Sequence, residues 1–280
     1  PAWKYQRQNL LMFRTLTAKL ATMGIIMATI AMLFVATIIS EGAGMVFQGI
    51  FTGRAKNNGC FDILISTHDT NRKVFKDTLD YIEENIPIKD SRQYCVYMAE
   101  TDTVTDYIEE HTTYYHYYKY DSMMRESDYL ALRSMLGYPL VTLDEGQYFN
   151  HCKPYVAEAL KDWEKTITLK GERLKPGGIY TETFAQNPYD RNGQGFILVV
   201  PDEAVKGCLV SHTIQVFQTA EPVSEAHYQE LEAIEDKGGW YEDMIVYVKA
   251  KEEAEVAYMT SMTIFPLYYL ALVLTMTAAT

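Results

Sequence analysis

Two long apolar runs, Leu20–Ser40 and Val256–Thr280, contain no side chain charged at neutral pH, and between them polar and apolar positions alternate in short, irregular blocks. About 20 mainly apolar residues in a helix cross the hydrocarbon core of a bilayer, so both runs are long enough to span. A spanning segment must satisfy its backbone hydrogen bonds internally, which makes each run a transmembrane helix and puts the intervening chain on one face of the membrane. Ahead of the first run, Met12, Leu16 and Leu20 recur every fourth residue, with Leu10 and Phe13 nearby and Arg14 and Lys19 among the polar positions. That is the pattern of a helix lying in the membrane interface. The resulting organisation is an interfacial helix over 1–19, a span over 20–41, an external domain over 42–255 and the start of a second span over 256–280.

Within the domain, Gly42, Gly44, Gly49 and Gly53 are expected to loosen the chain before a short β-type run, Phe61–Ile65. Val74, Leu79 and Ile82 give helical spacing to Arg72–Asn85, which Pro87 stops. Tyr94–Met98, Thr166–Leu169, Ile179–Phe184, Phe196–Val200, Leu209–Phe217 and Met244–Val248 read as strands. Ser127 can cap a helix over Asp128–Leu136 that Gly137 ends, and Ser224–Glu235 reads as another capped helix. The fold class is therefore α+β, a mixed external domain of one body or of two subdomains meeting near residues 120–165, flanked by two transmembrane helices. From Ala250 a charged stretch runs without glycine or proline into the second span, and Pro266 there removes one backbone donor and is expected to kink or hinge the helix. Gly24 with Ala28, and Ala271, Thr275 and Ala279, place small residues four apart, as helix packing in a bundle requires.

Charge adds direction. The chain has 280 residues and a net charge of −12, yet Lys4, Arg7, Arg14 and Lys19 precede the first span without an acid. Basic residues near a spanning end stay in the cytoplasm, which puts the N-terminus inside and the domain outside. A secretory signal would carry a shorter apolar core and a small-residue cleavage site. An acidic outer domain lacks the cationic surface that nucleic acid requires and suits cationic ligands instead. Cys60, Cys95, Cys152 and Cys208 all fall in this domain. Oxidising surroundings permit disulfides among them, with three possible pairings, but four separate buried thiols in an insert large enough to have its own core are the expectation. A start at Pro1 and an end within an apolar run lead us to expect a piece of a longer protein.

Catalytic patterns are absent. His68, His111, His116, His151, His212 and His227 form no HExxH or comparable metal spacing, and no GxSxG, SxxK or papain-like context exists. The Asp190, Asn192 and Gln194 run begins like a calcium loop, but its twelfth position is Pro201 rather than a bidentate glutamate. Asn192-Gly193 is better read as a hairpin turn. Tyr114, Tyr115, Tyr117, Tyr118 and Tyr120, interrupted by His116 and Lys119, form the densest aromatic cluster. Tyr114, Tyr115, Tyr117 and Tyr118 are the candidate ligand-binding residues, because tyrosine offers broad contact with a polar tip; a strand with one buried tyrosine face explains the same cluster structurally.

The stretches NLLMFRTLTAKLATMGI (Asn9–Ile25) and FPLYYLALVLTMTAAT (Phe265–Thr280) resemble the segments that flank the external domain of FtsX-like (MacB/bacitracin-resistance type) ABC transporter permeases. SDYLALRSMLG (Ser127–Gly137) and GFILVVPDE (Gly195–Glu203) are similar to sequences inside that domain. The resemblance implies a multi-pass subunit of the bacterial plasma membrane in contact with membrane lipid. It implies a separate cytoplasmic ABC ATPase that binds the ATP, in keeping with the absence of a GxxxxGK[ST] motif and of any cofactor in this chain. It also implies a sensor histidine kinase nearby and a cationic peptide or cell-envelope ligand outside. A two-span receptor of a signalling protein is the alternative, and a surface enzyme is disfavoured for want of catalytic residues.

Overall fold

The computed structural model describes residues 9–113, 120–184, 195–237 and 244–279. The chain divides into two compact units, 1–53 with 255–280, and 54–254.

In the first unit, α1 (Asn9–Asn58) is one helix of 50 residues. Gly42, Gly44, Gly49 and Gly53 therefore lie inside a helix and do not loosen the chain. Each costs roughly 1 kcal/mol relative to alanine, which a long apolar helix without proline absorbs. Gly44 has a use for its missing side chain, since a Cβ there would come within 3.2 Å of the Tyr268 ring. Among the described residues of α1, Ser40 and Gly44 are buried, and Gly24 and Ala28 are exposed. On the other side, α7 (Lys249–Met259) leads into a π-helical turn, Thr260–Ile264, and then α8 (Phe265–Ala279). Pro266 cannot donate to the carbonyl four residues back, and the helix widens by a residue just before it instead of breaking. Ile264 and Ala271 are buried in this unit, while Met27, Ile38, Phe265 and Met276 are each more than 60% exposed. The stretches Ile26–Ile50 and Lys249–Thr277 are long and apolar enough to cross a membrane.

The second unit is built on a sheet of nine strands among the described residues: β1 (Ile63–Thr67), β2 (Ile88–Met98), β3 (Ser122–Arg125), β4 (Gln147–Cys152), β5 (Ile167–Leu169), β6 (Glu172–Tyr180), β7 (Phe196–Val200), β8 (Val210–Thr219) and β9 (Met244–Val248). Their order is β5-β6-β4-β7-β3-β2-β8-β1-β9. The β2-β8-β1-β9 half is antiparallel; the other half includes the parallel pairs β3-β7 and β4-β6. The halves join through only two residue pairs, Tyr97 with Met123 and Met98 with Ser122. The expectation of two subdomains thus resolves into one compact unit whose sheet narrows at β2-β3, near the anticipated boundary. The expected strand at Ile179–Phe184 ends at Tyr180 and lies mostly earlier.

Side-chain alternation sorts the core. Ile63 and Ile65 face α2 (Lys73–Asn85) and α6 (Glu225–Asp236) through Phe75, Ile82 and Leu231. On the same face of the other half, Phe196, Leu198 and Val200 pack with Val104 and Ile108 of α3 (Thr103–His111) and Val156 of α5 (Pro154–Ala159). The opposite face, through Leu64, Ile197 and Val199, receives Tyr129 and Leu132 of α4 (Glu126–Met135). Burying such side chains contributes roughly 1.5–3 kcal/mol each.

Two helix starts are held from a distance. Ser127 does not cap α4; Arg125 occupies the cap position without a side-chain bond, and the Ser127 amide donates to Asp202 Oδ1 at 3.1 Å. The buried Asp121 carboxylate likewise accepts from the Val104 amide at 3.1 Å and the Thr105 amide at 2.7 Å at the start of α3. Ser224 does cap α6 as expected, accepting from the His227 amide at 3.4 Å.

Candidate functional site

The first and last strands of the second unit, β1 and β9, are paired neighbours. In the register of β1 with β9, Ile63 lies opposite Val248. One residue further out, the Lys249 amide donates to the Asp62 carbonyl at 3.0 Å. Asp62 ties a third segment to the same place: its amide donates to the Phe217 carbonyl at 3.0 Å, and its Oδ2 accepts from the Thr219 amide at 2.9 Å and hydroxyl at 3.3 Å. A cavity of about 240 Å³ lies beside this junction, lined by Asp62, Thr219, Glu221, Val223, Lys249 and Glu253 among others. A buried amide without an acceptor costs about 1–3 kcal/mol, so the Asp62 carboxylate fixes the loop after β8 against the root of β1. The edge of β9 is closed nearby, where the Val246 amide donates to Glu235 Oε1 at 3.0 Å, a protection of the kind that exposed strand edges need.

A buried polar chain crosses the α4 side of the sheet. Arg133, 1% exposed, donates from Nε to the Pro139 carbonyl at 2.8 Å, from Nη1 to Tyr129 Oη at 3.0 Å and from Nη2 to Glu182 Oε1 at 2.7 Å. Its guanidinium also lies 5.3–5.5 Å from the ring centroids of Tyr129, Tyr138 and Tyr180. His151 pairs with Tyr129 Oη through Nδ1 at 2.7 Å and with the Glu182 carbonyl through Nε2 at 3.1 Å. A carbonyl can only accept, so Nε2 carries the proton and Nδ1 accepts from the phenol. Burial pushes the His151 imidazole down to about 4, which keeps it in that neutral tautomer. The Arg133 hydrogen bond holds the Glu182 carboxyl below its ordinary value. This chain joins α4, β4 and the segment after β6, and no step in it offers an exposed nucleophile or a base beside one.

Among the other described histidines, His68 and His212 meet edge to face with ring centroids 5.9 Å apart, and His111 and His227 lie on separate helices. His68 Nδ1 meets the Ser211 carbonyl, His227 pairs with Tyr81 Oη at 2.9 Å, and His111 donates to the Tyr107 carbonyl at 2.8 Å. No group of three or more His, Cys, Asp or Glu residues able to hold a metal exists among the described residues. Cys95, Cys152 and Cys208 lie on or beside the helix-α3 face of the sheet, Cys60 packs on the α4 face, and none of the four is joined in a disulfide. Tyr114, Tyr115, Tyr117 and Tyr118, with the Asn192-Gly193 turn, lie outside the described residues. Tyr120, at the end of that cluster, bonds Ser211 Oγ at 2.8 Å. The sequence pattern did not single out Asp62, Arg133 or Asp121, because Asp62 and Asp121 act on other segments and Arg133 joins its near neighbours Tyr129 and Pro139 to the distant Glu182.

No protein-family model matches this chain, and no curated protein matches it. Among solved structures, a Bacillus anthracis chain described as a lipoprotein is similar over 66% of this chain and 96% of its own length, at 11% identity and a TM-score of 0.40. The periplasmic region of MacB from Actinobacillus actinomycetemcomitans is similar over 70% of this chain and 92% of its own, at 12% identity and a TM-score of 0.33. Likenesses this distant assign no family, and function rests on the chain's own residues.

Proposed function

We propose that this chain is part of the permease of a bacterial FtsX-like ABC transporter, with its two apolar helices in the plasma membrane and residues 54–254 outside. ATP is bound and hydrolysed by a separate cytoplasmic subunit, and the external unit handles a cationic peptide or cell-envelope ligand. The observation that carries this reading is the junction at Asp62. Both chain connections leave the external unit from hydrogen-bonded neighbours, and each belongs to an apolar helix of spanning length. A displacement of one helix relative to the other would act on two adjacent strands through short connections. The quoted membrane-flanking stretches, the lack of a nucleotide-binding motif and the four bases before the first span support the same reading.

The test is affinity purification of the intact protein from its native membrane, followed by ATPase measurement in lipid nanodiscs. An ABC ATPase should co-purify and retain turnover. Recovery without an ATPase, and with a kinase region on the same polypeptide, would establish the receptor alternative.

A further inference from the structure

Away from the Asp62 junction, α3 and the segment after α5 form an aromatic corner. Tyr107 and Trp163 lie with ring centroids 4.6 Å apart and planes inclined at 52°. Both walls are held in place. Trp163 is buried and donates from Nε1 to Tyr148 Oη at 2.6 Å. His111 stacks on Tyr107 at 4.0 Å. The corner is occupied by the protein's own cation: Lys165 Nζ lies 5.3 Å from the Trp163 centroid and 5.6 Å from that of Tyr107, although the side chain is exposed. An ammonium over the negative face of a ring gains about 0.5–1 kcal/mol at an exposed site, so a lysine tethered there is held loosely.

The surroundings favour positive charge. Helix α3 carries Asp106, Glu109 and Glu110 and no lysine or arginine, and Asp102 precedes it. A local excess of carboxylates raises the concentration of cations at the surface without fixing any one of them. The corner supplies the fixed part, two pre-oriented rings, Trp163 held by its buried hydrogen bond and the half-buried Tyr107 by the His111 stack.

We infer that the Tyr107–Trp163 corner is a binding site for a lysine or arginine side chain of a cationic peptide, and that Lys165 occupies it until the ligand's cation takes its place. This rests on the reading of the external unit as a ligand-handling domain and names its site; it requires no ATPase. Exchange of one cation for another costs the corner little, because the rings keep a partner throughout. Lys165 then sets a threshold, and only a ligand with further contacts to the acidic surface displaces it.

The experiment uses the full chain in non-ionic detergent, with Trp3→Phe and Trp240→Phe so that fluorescence reports Trp163 alone. The probe is an acetylated, amidated tetralysine peptide, with tetraglutamate as control. Tetralysine should change Trp163 emission saturably and tetraglutamate should not. Lys165→Ala should tighten binding on the order of fivefold by removing the competitor, and Lys165→Arg should not. Tyr107→Phe should bind as the parent does, whereas Tyr107→Leu should weaken binding on the order of fivefold. Equal affinity in the Lys165→Ala and parent chains would overturn the proposal, and the Lys165 arm stands even where a Tyr107 variant fails to fold. So would equal affinity in Tyr107→Leu and Tyr107→Phe. Co-purification of an ATPase is independent of every arm, so failure here leaves the transporter reading to its own test.

Discussion

Replacing Glu182 by glutamine is expected to destabilise the 54–254 unit more than replacing Arg133 by methionine. Arg133 is 1% exposed, while the Glu182 side chain retains 34% of its exposure. A guanidinium cannot shed its proton in a protein. Without the carboxylate it stays charged and buried, with a neutral glutamine amide oxygen in place of its counter-charge and otherwise the Pro139 carbonyl, the Tyr129 phenol and three ring faces. Breaking a buried ion pair from one side costs about 3–5 kcal/mol, and Glu182→Gln falls in that range. In Arg133→Met the orphaned carboxylate can turn to water and the methionine refills most of the stem's volume, so the cost drops to about 2 kcal/mol, chiefly the lost hydrogen bonds to Tyr129 and Pro139. The double variant should recover part of the Glu182→Gln loss, since no charge is then left buried. Urea unfolding of the 54–254 unit, followed by far-ultraviolet circular dichroism, measures all four corners of the cycle. The reasoning is refuted by a Glu182→Gln cost below that of Arg133→Met, or by strictly additive losses.

Other outcomes follow from the same geometry. Burial raises the Asp121 carboxyl to about 6 and lowers His151 to about 4. The raised Asp121 value contributes stability that is present below about pH 4 and lost as pH rises to about 6, whereas the depressed His151 value contributes stability that is present above about pH 6.5 and lost as pH falls to about 4. Each is worth about 3 kcal/mol by the size of its shift, so the two slopes oppose one another; Asp121→Asn should leave stability rising with pH across this window and His151→Gln should leave it falling, as read by urea midpoints at half-unit steps. Gly44→Ile should lower the thermal stability of the intact chain in detergent by driving a side chain into the Tyr268 ring, and Tyr268→Ala should restore it. Gly24→Ile, with no atom within 4 Å of its Cβ, should be neutral in the same assay. Asp62→Ala should cost about 1–3 kcal/mol by orphaning the Thr219 amide, and hydrogen exchange should show faster exchange at Thr219 and Lys249 with α4 unaffected.

The elements legible in the sequence are those whose cause is local. Phe196–Val200 has a continuous apolar run buried on both faces, Ser224 sits next to the helix it caps, and Pro87 follows closely on the end of α2 at Asn85. Strand β4 was missed because Asn150 and His151 interrupt its apolar pattern, and both are buried only because residues beyond 180 and across the sheet close over them. Helices α3 and α4 start where Asp121 and Asp202 supply acceptors from other segments, so Asp102, at the cap position of α3, makes no side-chain cap bond and Ser127 lies inside α4 rather than ahead of it. The glycines of α1 misled in the opposite sense, because turn chemistry is a statement about exposed backbone and these residues lie in an apolar helix. The candidate sites follow the same division. A tyrosine cluster is conspicuous in the sequence, but a junction made by Asp62, Thr219 and Lys249 spans most of the chain and exists only once β1, β8 and β9 are side by side. For a protein read as passing displacement between helices and an external unit, the decisive residues are those that join distant segments. They belong to the class of positions that a single sequence conceals, which is why Asp62 and Arg133 are better first targets for mutation than any residue chosen by motif.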